Sequence, residues 1–94
     1  MIIDFDPGKS AWNARVRGLP FSEVFHFDWE GALLTEDKRN DYPERRFVAI
    51  GMIGQRAHVV CFTPIEGGIR VISLRKANAR EVRRYDKATH GQDR

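Results

Sequence analysis

The chain has 94 residues, 41% of them hydrophobic and 31% charged, with a formal net charge of +3. That length buries one core without disulfide or metal staples, so a single domain over residues 1–94 is expected. No apolar run approaches the roughly 20 residues that span a bilayer, and the N-terminus M-I-I-D-F-D-P lacks the basic flank and apolar stretch of a signal peptide. A single cysteine, Cys61, excludes an internal disulfide framework and points to a reducing cytoplasm.

Ile2-Ile3-Asp4-Phe5 reads as a short first strand. Asp6-Pro7 then starts a helix, because Asp accepts from free N–H groups and Pro fits the first helical position. Ala11, Trp12 and Ala14, with Val16, offer that helix an apolar face, and Gly18 ends it. A second short helix is expected near Phe21 to Phe27, burying Phe21, Val24 and Phe25. The segment from Asp28 to Glu44 holds six acids against Lys38 and Arg39. It reads as an edge strand around Ala32-Leu33-Leu34-Thr35 followed by an exposed loop.

Three β runs follow, at Arg46–Ile53, Arg56–Ile65 and Ile69–Arg75. The turns Gly54-Gln55 and Glu66-Gly67-Gly68 separate them, which predicts consecutive hairpins. In the last run, strict alternation sets Ile69, Val71, Ser73 and Arg75 on one face and Arg70, Ile72 and Leu74 on the other. Asn78 with Glu81 three residues later matches the start of a final helix. The order β-α-α-β-β-β-β-α predicts an α+β fold, an antiparallel sheet with helices packed on one face.

The positive charge is unevenly placed. Residues 70–94 hold eight Lys/Arg against three Asp/Glu, a balance of +5, whereas residues 1–69 hold eight against ten, a balance of −2. A strand-to-helix junction carrying Arg75, Lys76, Arg80, Arg83 and Arg84 suits a polyanion, and nucleic acid is the partner to consider first. Arg83, Arg84 and Lys87 also fit a plain solvated helix face. Arg46 and Arg75 stand at ends of otherwise apolar β runs, which favours a functional role for both.

RNA cleavage needs an activated 2′-hydroxyl, neutralisation of the phosphorane and a proton for the leaving 5′-oxygen. Arginines suit the second task through bidentate phosphate contacts, but they stay protonated and cannot transfer protons. His26, His58 and His90 are scattered, with no two placed for imidazole acid–base work. Tyr85 is a local proton donor or an anchor for the last helix. Glu44 is a base or an ion-pair partner of Arg45-Arg46. One Cys and three dispersed His give no metal-ligand spacing, no Gly-rich phosphate loop or serine elbow is present, and no cofactor is indicated.

Four blocks now coincide with one family: F-D-P-G-K-S-A-W-N, R-G-L-P-F, E-R-R-F-V-A-I-G and I-R-V-I-S-L-R-K-A-N-A-R-E-V-R-R-Y. In this order and spacing the chain resembles the BrnT-type toxins of bacterial type II toxin–antitoxin systems, from about Ile3 to Tyr85. The resemblance implies a RelE-like ribonuclease fold that inhibits translation by RNA cleavage, and with no metal-ligand spacing in the chain the endoribonuclease is expected to be metal-independent. It also implies neutralisation by a BrnA-type antitoxin whose ribbon-helix-helix part binds operator DNA. The family's motif positions fall at Lys9, Arg46, Arg75 and Tyr85, with Arg80 and Glu81 in the helix block. The chain departs from the pattern at Val16-Arg17-Gly18, where Lys-His-Gly is common, and at Arg45, where an acid is usual. It departs again at Thr63-Pro64-Ile65, where Thr-x-Arg would add a cation.

The expected site is thus Arg46, Arg75, Tyr85 and Glu44 for catalysis, with Lys9, Lys76, Arg80, Arg83 and Arg84 gripping RNA. The alternative is a non-catalytic basic module for nucleic acid or an acidic protein partner.

Overall fold

The computed structural model describes residues 1–90. Five strands and two α-helices follow the expected order: β1 (Ile2–Asp4), α1 (Pro7–Arg17), β2 (Leu33–Asp37), β3 (Arg46–Ile53), β4 (Arg56–Ile65), β5 (Gly68–Lys76) and α2 (Ala79–His90), with a short 3-10 helix at Phe21–His26 after α1. The sheet order is β1-β5-β4-β3-β2. β2 to β5 pair as antiparallel neighbours, but β1 joins β5 in parallel, so the sheet is mixed rather than purely antiparallel. Gly68 makes that join possible. It faces Ile2 across the ladder, and a Cβ there would sit on the Ile2 carbonyl group.

The caps act as the sequence suggests. Asp6 accepts from the Lys9 N–H at 2.9 Å, Pro7 opens α1, and Gly18 closes it in the left-handed region at φ 71°. The face of α1 that turns inward, however, is not the apolar one. Ser10 and Asn13 are buried, while Trp12 and Val16 are exposed. The reason is a backbone need. β1 pairs only with Gly68–Arg70, and past its end the β5 carbonyl of Leu74 has no strand beside it. Asn13 Nδ2 donates to Leu74 O at 2.8 Å and to Leu19 O at 2.7 Å, and Ser10 Oγ accepts from the Phe21 N–H at 2.8 Å. Satisfying buried carbonyls outranks burying a tryptophan here. In the 3-10 helix, Phe21 and Val24 are buried as expected, but Phe25 points to solvent and Phe27 takes the inner place.

The sheet carries a core on each face. One joins Phe21, Val24 and Phe27 to Ala49, Val60, Phe62 and Leu74. The other joins Tyr85 and Val82 of α2 to Ile50, Ala57, Val59 and Ala77. Neighbouring β3 residues alternate between them, so the 3-10 helix and α2 lie on opposite faces. The expectation of helices on one face is corrected: β3 and β4 are apolar on both sides, and each side needs a cover.

The facing of β5 is corrected as well. Cys61 pairs with Ser73 and Phe62 with Val71, leaving Ile72 as an extra residue in a bulge. The bulge reverses the alternation, so Ile69 and Val71 join Leu74 in the first core instead of facing away from it.

Replacing Asn13 by Ala takes the close donor from the Leu19 carbonyl and from the Leu74 carbonyl, which keeps only the 3.3 Å contact from Arg17 Nη1, at about 1–3 kcal/mol. Urea denaturation is expected to show that loss for Asn13→Ala, whereas Val16→Ala, at an exposed position on the same helix, should stay within about 0.5 kcal/mol of the parent.

Candidate functional site

The second face of the sheet is incompletely covered by α2. Between that helix and β2 lies a cavity of about 420 Å³. Its floor is Val48, Ile50, Val59, Cys61 and Ser73. One wall is the β2 end, Thr35 to Arg39, and the opposite wall is Arg75, Glu81 and Arg84. A second cavity of about 360 Å³ shares Glu36, Asp37 and Lys38 with the first and continues to Tyr42, Glu44, Arg45 and Arg46. Together they form a groove along the β2 side of the sheet.

Three carboxylates grip arginines along this groove. Arg75 Nη1 and Nη2 each lie 2.8 Å from Glu81, one to each carboxylate oxygen. Glu81 is fixed from a third direction, since its Oε1 accepts the Asn78 N–H at 2.9 Å while Asn78 Oδ1 accepts the Glu81 N–H at 2.9 Å. This is the capping box anticipated at the start of α2. The Arg75 guanidinium is the chief cause that holds the Glu81 carboxyl down to about 2, against the opposing effect of burial. In turn Glu81 raises the Arg75 pKa.

Asp37 organises the other wall. Its side chain is 3% exposed and accepts from Arg39 Nε at 2.9 Å, Arg39 Nη2 at 2.8 Å and the Tyr42 hydroxyl at 3.1 Å. The Arg39 hydrogen bonds keep its carboxyl well below the usual range, with Tyr42 contributing. The Tyr42 ring carries the Arg46 guanidinium 4.1 Å from its centroid, and Arg46 Nε is buried without a partner among the described residues. Glu36 pairs with Arg45 at 3.0 Å, which lowers the Glu36 pKa. Cys61, in the floor, is half-buried, and burial pushes its thiol up despite the nearby charge of Arg46.

The expected site residues therefore separate. Arg75 and Arg84 line the first cavity, and Arg46 and Glu44 line the second. Arg80 and Arg83 are exposed on α2 but line neither, and Lys76 is exposed at the strand end, one residue out of phase with Arg75. Lys9 is exposed on α1, outside both linings. Tyr85 is 8% exposed and packs α2 onto the sheet among Ile50, Ala57 and Val59, so it reaches neither cavity. His58 is also buried, with Nδ1 2.8 Å from the Arg56 carbonyl oxygen. Sequence reasoning missed Asp37, Arg39 and Tyr42, because a run rich in acids resembles a solvated loop. The one available signal was the alternation of Asp37 with Arg39 beside an aromatic.

A family model described as ribonuclease toxin, BrnT, of type II toxin–antitoxin system matches residues 5–81. The chain belongs to the BrnT family. Membership brings a type II antitoxin as partner and RNA as the substrate class. The BrnT match takes in Lys9, Glu44, Arg46, Arg75, Lys76, Arg80 and Glu81, and ends before Arg83, Arg84 and Tyr85. No curated protein and no solved structure matches the chain. No helix among the described residues is long and apolar enough to cross a membrane, and no three of their His, Cys, Asp or Glu side chains group as metal ligands.

The Arg75–Glu81 pair sets a pH dependence. Glu81 titrates near its ordinary 4.5 when unfolded and at about 2 when folded. Its stabilisation is complete above pH 4.5 and is lost as pH falls toward 2, because the unfolded chain takes up the proton first. Denaturation midpoints measured across that window should fall with pH, and Glu81→Gln should flatten part of the fall.

Proposed function

We propose that this BrnT-family chain is a cytoplasmic, metal-independent endoribonuclease whose cleavage of RNA arrests translation. A BrnA-type antitoxin with a ribbon-helix-helix part neutralises it, and operator DNA is reached only through that complex. The observation that carries the reading is the groove, in which Arg75 and Arg84 stand across from Arg39 and the path continues to Arg46.

Cleavage by internal attack forms a bond from the 2′-oxygen to phosphorus and breaks the bond to the 5′-oxygen, through a phosphorane of increased negative charge. Arg75 and Arg46 neutralise that charge with fixed guanidinium donors, which need no reorganisation when the charge develops. Arg84 and Lys38 hold flanking phosphates. Glu44, which lines the second cavity beside Arg46, assists the proton transfer that arginines cannot perform. Tyr85 anchors the helix instead of meeting substrate. Lys9, Lys76, Arg80 and Arg83 add to long-range attraction of the polyanion from outside the groove.

One observation favours the non-catalytic reading, that no imidazole lines either cavity. A binding module would hold RNA with steep salt dependence and leave it intact.

Purified protein is expected to cut single-stranded RNA equally well with and without a chelator. Arg75→Ala and Arg46→Ala should each slow cleavage by about 10²-fold or more and relieve growth arrest on induction, while Tyr85→Phe retains both activities. Undiminished cleavage by Arg75→Ala sinks the assignment, and intact RNA with the parent chain returns the protein to the binding-module class.

A further inference from the structure

Glu81 sits where a helix cap and a cleft wall coincide, and its two oxygens serve both. The capping role accounts for one hydrogen bond, from the Asn78 N–H to Oε1. It does not account for the two bonds from Arg75, which reaches out of β5 across the strand-to-helix turn. Those bonds take the outer edge of the guanidinium, formed by Nη1 and Nη2. A weaker third contact runs from Nη1 to the Lys76 carbonyl at 3.4 Å. The remaining edge, Nε with the second N–H of Nη2, has no partner among the described residues. That edge has the spacing for a second bidentate contact of the kind arginine makes with phosphate. The Arg75 side chain is 39% exposed and belongs to the cavity lining.

Resting on the ribonuclease reading above, we infer that Glu81 is a positioning residue, a clamp that turns the free edge of Arg75 toward the scissile phosphate. A free arginine has many rotamers, and ordering it during the reaction would raise the barrier. The clamp removes that ordering step. Asn78 fixes Glu81, Glu81 fixes Arg75, and the turn between β5 and α2 becomes part of the site. The carboxylate also offsets part of the charge on Arg75, which weakens its hold on the singly charged phosphodiester more than on the phosphorane that charges up beside it.

Two substitutions separate clamp from cap. Glu81→Gln keeps an oxygen for the Asn78 N–H, since Gln serves in capping boxes, but presents an amide NH₂ to Arg75 and loses the two-point grip. Asn78→Ala removes the side-chain cap yet keeps the backbone N–H that holds Glu81. The readouts are kcat and KM on a single-stranded RNA, binding of the same sequence as uncleavable DNA, and thermal melting. Glu81→Gln is expected to lower kcat at least about tenfold, with KM and DNA binding unchanged or tighter, and to melt earlier by the lost ion pair. Asn78→Ala should melt earlier and keep kcat within about twofold. Parental kcat in Glu81→Gln, or a loss of kcat in Asn78→Ala as large as in Glu81→Gln, overturns the clamp. If the parent itself cuts no RNA, the ribonuclease reading falls instead, so the two failures are distinguishable.

Discussion

The strands β3 and β4 bury apolar side chains on both faces, and water has to be kept from both. Ala49, Val60 and Phe62 face the 3-10 helix, while Ile50, Ala57 and Val59 face α2. One helical layer cannot serve both, so the chain sends its N-terminal elements to one side and its C-terminal helix to the other. The C-terminal cover is the smaller. α2 lays Tyr85 and Val82 over one end of the second core, reaching Leu33 of β2, and leaves the stretch over Val48, Cys61 and Ser73 open. The groove is the remainder of that face, which is why it has an apolar floor and charged walls.

The walls illustrate how arginines can be dense without repelling one another. Arg39, Arg45 and Arg75 each have a carboxylate partner at 2.8–3.0 Å. Where the arginine stands in solvent, as at Arg39 and Arg45, such pairs add little stability, because solvent screens them and ordering long side chains opposes them. Their larger effect is geometric. A bidentate grip fixes the plane of the guanidinium, and the plane decides which edge a phosphate meets. Arg46 reaches the same end by another route, lying over the Tyr42 ring while Asp37 holds the Tyr42 hydroxyl. Asp37 is thereby tied to three groups of its own loop, which makes the 37–46 segment a structured wall.

Local chemistry was legible wherever neighbours in sequence settle the matter. The Asp6-Pro7 start, the Gly18 stop, the Gly54 and Gly67 turns and the Asn78–Glu81 cap all depend on contacts within four residues. Faces were less legible. Trp12 and Phe25 carry the apolar area that periodicity favours, yet Asn13 and Phe27 sit inside, because the uncovered Leu74 carbonyl and the packing under β3 are long-range demands. The Ile72 bulge adds a residue that no composition rule announces, and it alone moves Ile69 and Val71 to the other core. Within the site, Arg46 and Arg75 were legible as cations at strand ends that apolar residues would otherwise fill. Arg84 reads equally well as part of a solvated helix face, but the helix phase brings it to the cavity with Glu81, one turn apart.

The sequence by itself determined the element order, the caps and turns, the concentration of positive charge after residue 70, and membership of the BrnT family. These follow from backbone stereochemistry, hydrophobic period and motif order, all of which act over short spans or survive as pattern. Only the tertiary structure decided that β1 joins in parallel, that the covers lie on opposite faces, and that Asp37, Tyr42 and Arg46 stand along one groove with Arg75 and Glu81. The physical reason is that these depend on which unpaired carbonyl, apolar face or charge a distant segment leaves open. Tyr85 shows the difference most plainly: its motif position suggests chemistry, and its place between α2 and the sheet makes it part of the core.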